Sequence, residues 1–256
     1  MQKESIMPFI DINCDMGESF GPWVMGNDRA ILQHVTSANI ACGFHAGDPD
    51  TMLETVRAAA AAGVAVGAHP GLPDLQGFGR RAMAMTPGEV YALIVYQVGA
   101  MLGVTRAVGV PLHHVKTHGA LYNMTARDPA LAQAVAQAVH DIDPKLMVYV
   151  ANANMASAAR AMGLRVAFEV YADRSYQDDG TLTPRSEPHA MIEDVAESIA
   201  QVKRMVTDGS VISLAGKTVP IAADTLCIHG DQPGAAVFAA RIRAAFDADG
   251  IGVRPV

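Results

Sequence analysis

Apolar runs short enough for buried strands alternate with amphipathic stretches along nearly the whole chain. The runs fall at Phe9–Asn13, Ser37–Cys42, Val64–Ala68, Leu146–Val150, Arg165–Val170 and Thr225–Ile228. A further strand lies in His114–Asn123, entered through Leu112 and braked at Gly119. Helical spacing between these runs predicts helices over Asp28–Val35, Pro49–Ala62, Pro129–His140 and Pro188–Thr207. Another follows Asn154 and stops at Met162, and a last one runs from Pro233 to near Asp249. The longest opens at Pro87, with Tyr91, Ile94, Val98 and Met101 on its buried stripe. Thr86 caps it, with Glu89 completing a capping box, and Asp48 and Asp128 cap two of the others. Each of these three caps is followed by a proline, the residue best suited to a first helical position.

Almost every strand ends in polar residues. The endings are Asn13 and Asp15, Cys42 and His45, His69, Lys116 and His118, Asn152 and Asn154, Glu169, and His229 with Asp231. Repeated strand–helix units imply a parallel sheet with right-handed crossovers. An open sheet would string these endings along one edge. An irregular seven-stranded (β/α) barrel, one α/β domain over residues 1–256, gathers them on a single face. Asp11, Asn13 and Asp15 share strand parity, and three polar groups on one side fit a barrel mouth better than a packed core. Lys116 and His118 also share parity and should project together. Read as a strand-end lysine in a pocket, Lys116 meets developing negative charge, and Lys116→Met should leave the fold intact.

Two other stretches carry chemistry-like patterns. Gly77-Phe78-Gly79-Arg80-Arg81 is either an anion-binding loop or a solvated loop pinned by Phe78. Tyr176–Glu187 is a long polar loop of the kind that forms lids. Gly216-Lys217-Thr218 is a turn within a hairpin over Ser210–Ala222. The first glycine of a P-loop is replaced by Val211, and Val219-Pro220 blocks the helix a P-loop needs.

A formal charge of −7 argues against nucleic acid and acidic membrane surfaces as partners. No long apolar stretch is free of charge, so no membrane span is expected. Met1–Pro8 lacks a signal peptide's apolar region, and three cysteines without a CxxC spacing read as reduced thiols in a cytoplasmic protein. The strand-end set suits acid–base work on a polar bond: His45, His69, His118 and His229 can relay protons and Lys116 can stabilise an oxyanion. Asp15 with His69 and His118 would also serve as divalent-metal ligands, and spacing alone leaves that open.

Several segments together resemble the LamB/YcsF family of 5-oxoprolinase subunits. They are Asp11–Gly21, Ser37–Asp48, Val66–Gly71, Gly77–Arg81, His114–Asn123 and Cys227–Asp231. The match runs from about Ile10 to the last helix, with Thr117 where the family is expected to carry proline. The resemblance implies a glycoside hydrolase/deacetylase-like barrel and ATP-dependent opening of 5-oxo-L-proline to L-glutamate with two partner subunits, B and C. ATP would be a co-substrate, handled at an interface or by a partner. Asp15, His45, His69 and His118 would handle water and protons, and Lys116 the oxyanion or phosphorylated oxygen. Asn13, Asn39, Tyr122 and Arg174 would position substrate, with Glu18, Asn123, Glu169, His229 and Asp231 completing the lining. Two rival readings are a metal-dependent deacetylase or amidohydrolase on the same fold, and a non-catalytic 5-oxoproline-binding protein within the complex. Assembly into a homo-oligomer is left open.

Overall fold

The computed structural model describes residues 8–230 and 234–256. Asp231 and the expected helix start at Pro233 lie outside the described residues. In chain order the elements are β1 (Phe9–Met16), α1 (Asp28–Ile31), β2 (Ser37–Ala41), α2 (Pro49–Ala61), β3 (Ala65–His69) and α3 (Pro87–Val108). There follow β4 (Leu112–Val115), α4 (Gly119–Arg127), α5 (Pro129–Ile142), β5 (Met147–Val150), α6 (Ala153–Ala161) and β6 (Arg165–Tyr171). The chain ends with α7 (Val195–Asp208), β7 (Ser210–Ile212), β8 (Thr218–Pro220), β9 (Thr225–Ile228), α8 (Ala235–Ala248) and β10 (Gly252–Val253).

Strands β1, β2, β3, β4, β5, β6 and β9 pair in that order, all parallel, and β9 closes on β1. The seven-stranded barrel is therefore closed, as the repeated strand–helix units imply. The local signals act as expected. Asp48 Oδ1 accepts from Thr51 N (2.8 Å), Asp128 Oδ1 from Ala130 N (2.9 Å), and Thr86 and Glu89 form a reciprocal capping box. The hairpin is the antiparallel pair β7–β8. Helix α3 is long and apolar enough to span a membrane by length and composition. Here Val90, Leu93, Ile94, Val98 and Met101 are buried against the barrel and α5.

Five expectations change. α1 is one turn rather than a helix to Val35, and α7 starts at Val195 rather than Pro188. Residues 119–127 form a helix, α4, and β10 adds a short parallel strand beside β1. The fifth change concerns the interior. Along β1, Ile10, Ile12, Cys14 and Met16 join the apolar layer beneath the helices, which leaves Asp11, Asn13 and Asp15 on the inner face. Only Asp15 reaches the mouth. Asp11 is fully buried below it and accepts hydrogen bonds from Thr36 (2.6 Å), Ser37 (2.8 Å), Tyr149 (2.9 Å) and Thr225 (2.6 Å). Four hydroxyl donors meet the acceptor capacity of one carboxylate, which is how this polar group is accommodated in the interior. Burial nevertheless raises its pKa, against the opposing pull of those hydroxyls.

Candidate active site at the barrel mouth

Above the Asp11 floor a second polar layer crosses the barrel. Asn13 Nδ2 donates to Thr225 (2.8 Å), Asn39 Nδ2 donates to Asn13 Oδ1 (2.7 Å) and Asp15 Oδ1 (2.8 Å), and His114 Nε2 donates to Asn39 Oδ1 (2.7 Å). The His114 ring stacks on Tyr149, with centroids 4.0 Å apart. It fits because β3 has Gly67 opposite it: a Cβ at Gly67 would run into the imidazole. Asn13 and Asn39 are both fully buried in this layer. They carry the residues above them and do not line the cavity.

Lys116 rises from this layer. Its ammonium lies 2.7 Å from Glu169 Oε1, 3.0 Å from Asp15 Oδ1, 3.1 Å from Cys227 Sγ and 3.2 Å from Asn13 Oδ1. Four acceptors surround three N–H donors, so none is left over for an oxyanion. Burial works against the charged form, but the Asp15 and Glu169 carboxylates reverse that and hold the Lys116 pKa well above the usual lysine range. Glu169 Oε2 accepts from Tyr122 (2.9 Å) and Tyr171 (2.6 Å). The negative charge that Lys116 meets is thus the protein's own. Cys227 is a buried neutral thiol, its pKa pushed well up by burial.

The mouth opens above Lys116 into a cavity of about 290 Å³. Asp15, His69, Lys116, His118, Tyr122, Asn123, Arg174 and His229 line it, joined by Tyr171 and by the loop arginines Arg80 and Arg185. A larger hollow of about 1100 Å³ lies between the 185–194 segment and α7, but its charged residues are mostly exposed and face no buried histidine. In the mouth, His69 Nδ1 donates to the Lys116 carbonyl (2.7 Å) and His118 Nε2 donates to the Phe78 carbonyl (2.7 Å). A carbonyl can only accept, so both tautomers are fixed. The remaining His69 Nε2 and His118 Nδ1 lone pairs face each other at 3.0 Å, with Asp15 Oδ2 3.4 Å from His69 Nε2. Burial lowers the His118 pKa to about 3, which keeps its ring neutral. Burial also raises the cost of charge on Asp15, but its neighbours, the Lys116 ammonium among them, more than reverse it and hold its pKa well below the carboxylate range.

His45 and Glu18 sit behind this pair. His45 is fully buried, stacks on His118 at 3.7 Å, and approaches Glu18 Oε1 at 3.3 Å. Its Nδ1 has no hydrogen-bond partner among the described residues. One ligand atom each from Glu18, His45, His69 and His118 lies within 4.8 Å of the others. Donors about 2.0–2.1 Å from a shared zinc-type ion stand about 3.3 Å apart, close to the 3.0, 3.3 and 3.7 Å separations here. The set fits a divalent cation. It differs from the expected Asp15, His69 and His118, because Asp15 Oδ1 is committed to Lys116 and Asn39 while Glu18 and His45 close the group.

The glycine-rich loop after β3 roofs the site. Gly79 holds φ +61°, and a side chain there would strike His45. Arg81 pairs with Asp74 and braces the loop, while Phe78 packs edge-on against His45 and His118. Arg174 donates to the Thr183 and Ala190 carbonyls, so it chiefly anchors the 175–190 segment. Arg185 carries no signal in the sequence, since a lone arginine in a polar loop has no local signature.

The model of the LamB/YcsF family matches residues 10–256. The chain is 74% identical to the second of two 5-oxoprolinase A-type subunits of Bordetella bronchiseptica, covering 98% of this chain and all of that one. It is 54% identical to the A-type 5-oxoprolinase subunit of Brevibacillus brevis, over 96% and 98%. The crystal structure of a lactam utilization protein from Thermus thermophilus superposes with a TM-score of 0.93 at 48% identity, covering 97% and 100%. A deacetylase solved with its substrate shares the fold alone, with a TM-score of 0.50 at 11% identity over 98% and 89%.

Proposed function

This chain belongs to the LamB/YcsF family, and from that premise we propose that it is the A-type component of a cytoplasmic, ATP-dependent 5-oxoprolinase. It opens the lactam of 5-oxo-L-proline to L-glutamate together with two partner subunits. The observation that carries this reading is the lone-pair face of the cavity: Asp15 Oδ2, His69 Nε2 and His118 Nδ1 converge with no donor of their own. Such a face needs a donor from the ligand. A water poised for attack, or a lactam N–H, supplies one.

An unstrained five-membered lactam resists water, and phosphorylation of its carbonyl oxygen by ATP makes that oxygen a leaving group. Water then adds to the carbonyl carbon while His69 takes its proton, the imidazolium so formed being stabilised by the adjacent Asp15 carboxylate, whose Oδ2 lies 3.4 Å from His69 Nε2. The C–N bond breaks as a histidine of the cluster returns a proton to the nitrogen, leaving a γ-glutamyl phosphate that a second water hydrolyses to L-glutamate and inorganic phosphate. General base and acid groups of this kind contribute typically 10²–10⁴-fold each. A cavity of about 290 Å³ suits a small ring, not a nucleotide. ATP is therefore handled largely outside it, at an interface with a partner. The tetrad Glu18, His45, His69 and His118 would hold a divalent cation, which would supply Lewis-acid polarisation of the substrate oxygen or of water. That donor set favours metal-dependent amide hydrolysis as the second reading.

The test is glutamate formation from 5-oxo-L-proline by the purified chain, alone and with both partner subunits, with and without ATP and a chelator. Turnover is expected only with partners and ATP. ATP-coupled turnover by the chain alone would refute the division of labour. Turnover that ignores ATP but is lost to chelator would favour the metal-dependent amidohydrolase.

A further inference from the structure

The cavity is polarised. At its depth Asp15 and, just beneath, Glu169 flank a single ammonium that is already paired, with Glu18 lying behind His118, while its rim carries the guanidinium groups of Arg80 and Arg185. An anionic group pushed toward the depth would meet like charge in a partly desolvated space. The same group at the rim would meet cations. Of the rim arginines, Arg185 is exposed, lines the same cavity as Asp15 and His69, and has its Nη2 3.5 Å from His229 Nε2. No carboxylate lies within ion-pair distance of it among the described residues. The expected candidate, Arg174, is buried with its N–H groups turned to the Thr183 and Ala190 carbonyls of the segment that carries Arg185.

We propose that Arg185, set over the cavity by the Arg174-anchored segment and His229, binds the carboxylate of the lactam substrate and so points the ring amide down at Asp15 and His69. The inference rests on the lactam reading above and adds the source of its specificity. A guanidinium matches a carboxylate in a paired, charge-assisted geometry. Its removal therefore acts on one end of the ligand only. Arg174 becomes a positioning residue for this group.

The probe pair is 5-oxo-L-proline and 2-pyrrolidinone, the same ring without the carboxylate. Both are titrated calorimetrically into the chain assembled with its partners, as wild type, Arg185→Ala and Arg185→Lys. Wild type should prefer 5-oxo-L-proline at least tenfold. Arg185→Ala should weaken 5-oxo-L-proline about 10–100-fold, the scale of a hydrogen bond to a charged group, and leave 2-pyrrolidinone within twofold. Arg185→Lys should restore part of the preference. Equal weakening of both ligands, or an unchanged preference, would overturn the role of Arg185. Loss confined to ATP binding would overturn it too, reassigning the arginine to the nucleotide. Failure of wild type to bind 5-oxo-L-proline at all would instead overturn the lactam reading.

Discussion

Lys116 illustrates how a residue's surroundings decide its work. In the sequence it is a strand-end lysine, free to meet substrate charge and tolerant of replacement. In the fold it is 3% exposed and clamps Asp15 and Glu169, which approach it from β1 and β6. Removing one partner of a buried ionic group leaves the others uncompensated, at a cost of about 3–5 kcal/mol. Lys116→Met is therefore expected to lower the thermal midpoint sharply, reversing the expectation from sequence. Lys116→Met combined with Glu169→Gln should recover part of the loss. Calorimetry of the two variants checks this, and an unchanged midpoint for the single variant would show that the clamp contributes nothing. The histidines were easier to read. His45, His69 and His118 each end or follow a strand and each reaches the mouth, because a strand's C-terminal end has only one face of the barrel to open on.

At the scale of elements, what was legible is what depends on neighbours in sequence. Caps at Asp48, Thr86 and Asp128, the proline starts and the β7–β8 turn are local devices, and each forms as its residues direct. The failures have non-local causes. Gly119 reads as a strand brake, yet with φ +54° it opens α4, whose Leu121 and Thr125 are buried and which packs against α5 and α6. Helix α7 starts late because His189 holds φ +61° and the cap is supplied by Asp194, past the expected start at Pro188. Strand β10 is two residues long and exists through its pairing with β1. Asp11 reads as a mouth residue because its four hydroxyl partners come from Thr36, Ser37, Tyr149 and Thr225, segments that only closure of the barrel brings together. Glu18 was legible only as part of a motif, and its contact with His45 and His118 required the fold.

At the scale of the molecule, the barrel is a polar column sheathed in apolar strand faces and helices, and this gives it a pH signature. Burial pushes His45 and His114 well below the usual histidine range, and His118 down to about 3. A depressed folded pKa means that the unfolded chain takes up protons first as pH falls. The stability these groups contribute is whole above about pH 6.5, the unfolded histidine value, and drains away toward their folded values. Urea midpoints should therefore fall steadily from about pH 7 to about pH 5. A flat or rising profile would show that these rings are not held neutral.

The central claim is that the lone-pair face at the mouth performs the chemistry, and Asp15 gives the cleanest access to it. Asp15→Asn keeps the shape and an oxygen for Lys116, whose charge still pairs with Glu169 at 2.7 Å. It removes only the negative charge beside His69. Glutamate formation by the assembled complex at saturating ATP and 5-oxo-L-proline should fall by about 10²-fold or more, with assembly and 5-oxo-L-proline binding retained. Turnover within a few-fold of wild type in that same assembled complex would contradict the claim and move the chemistry elsewhere.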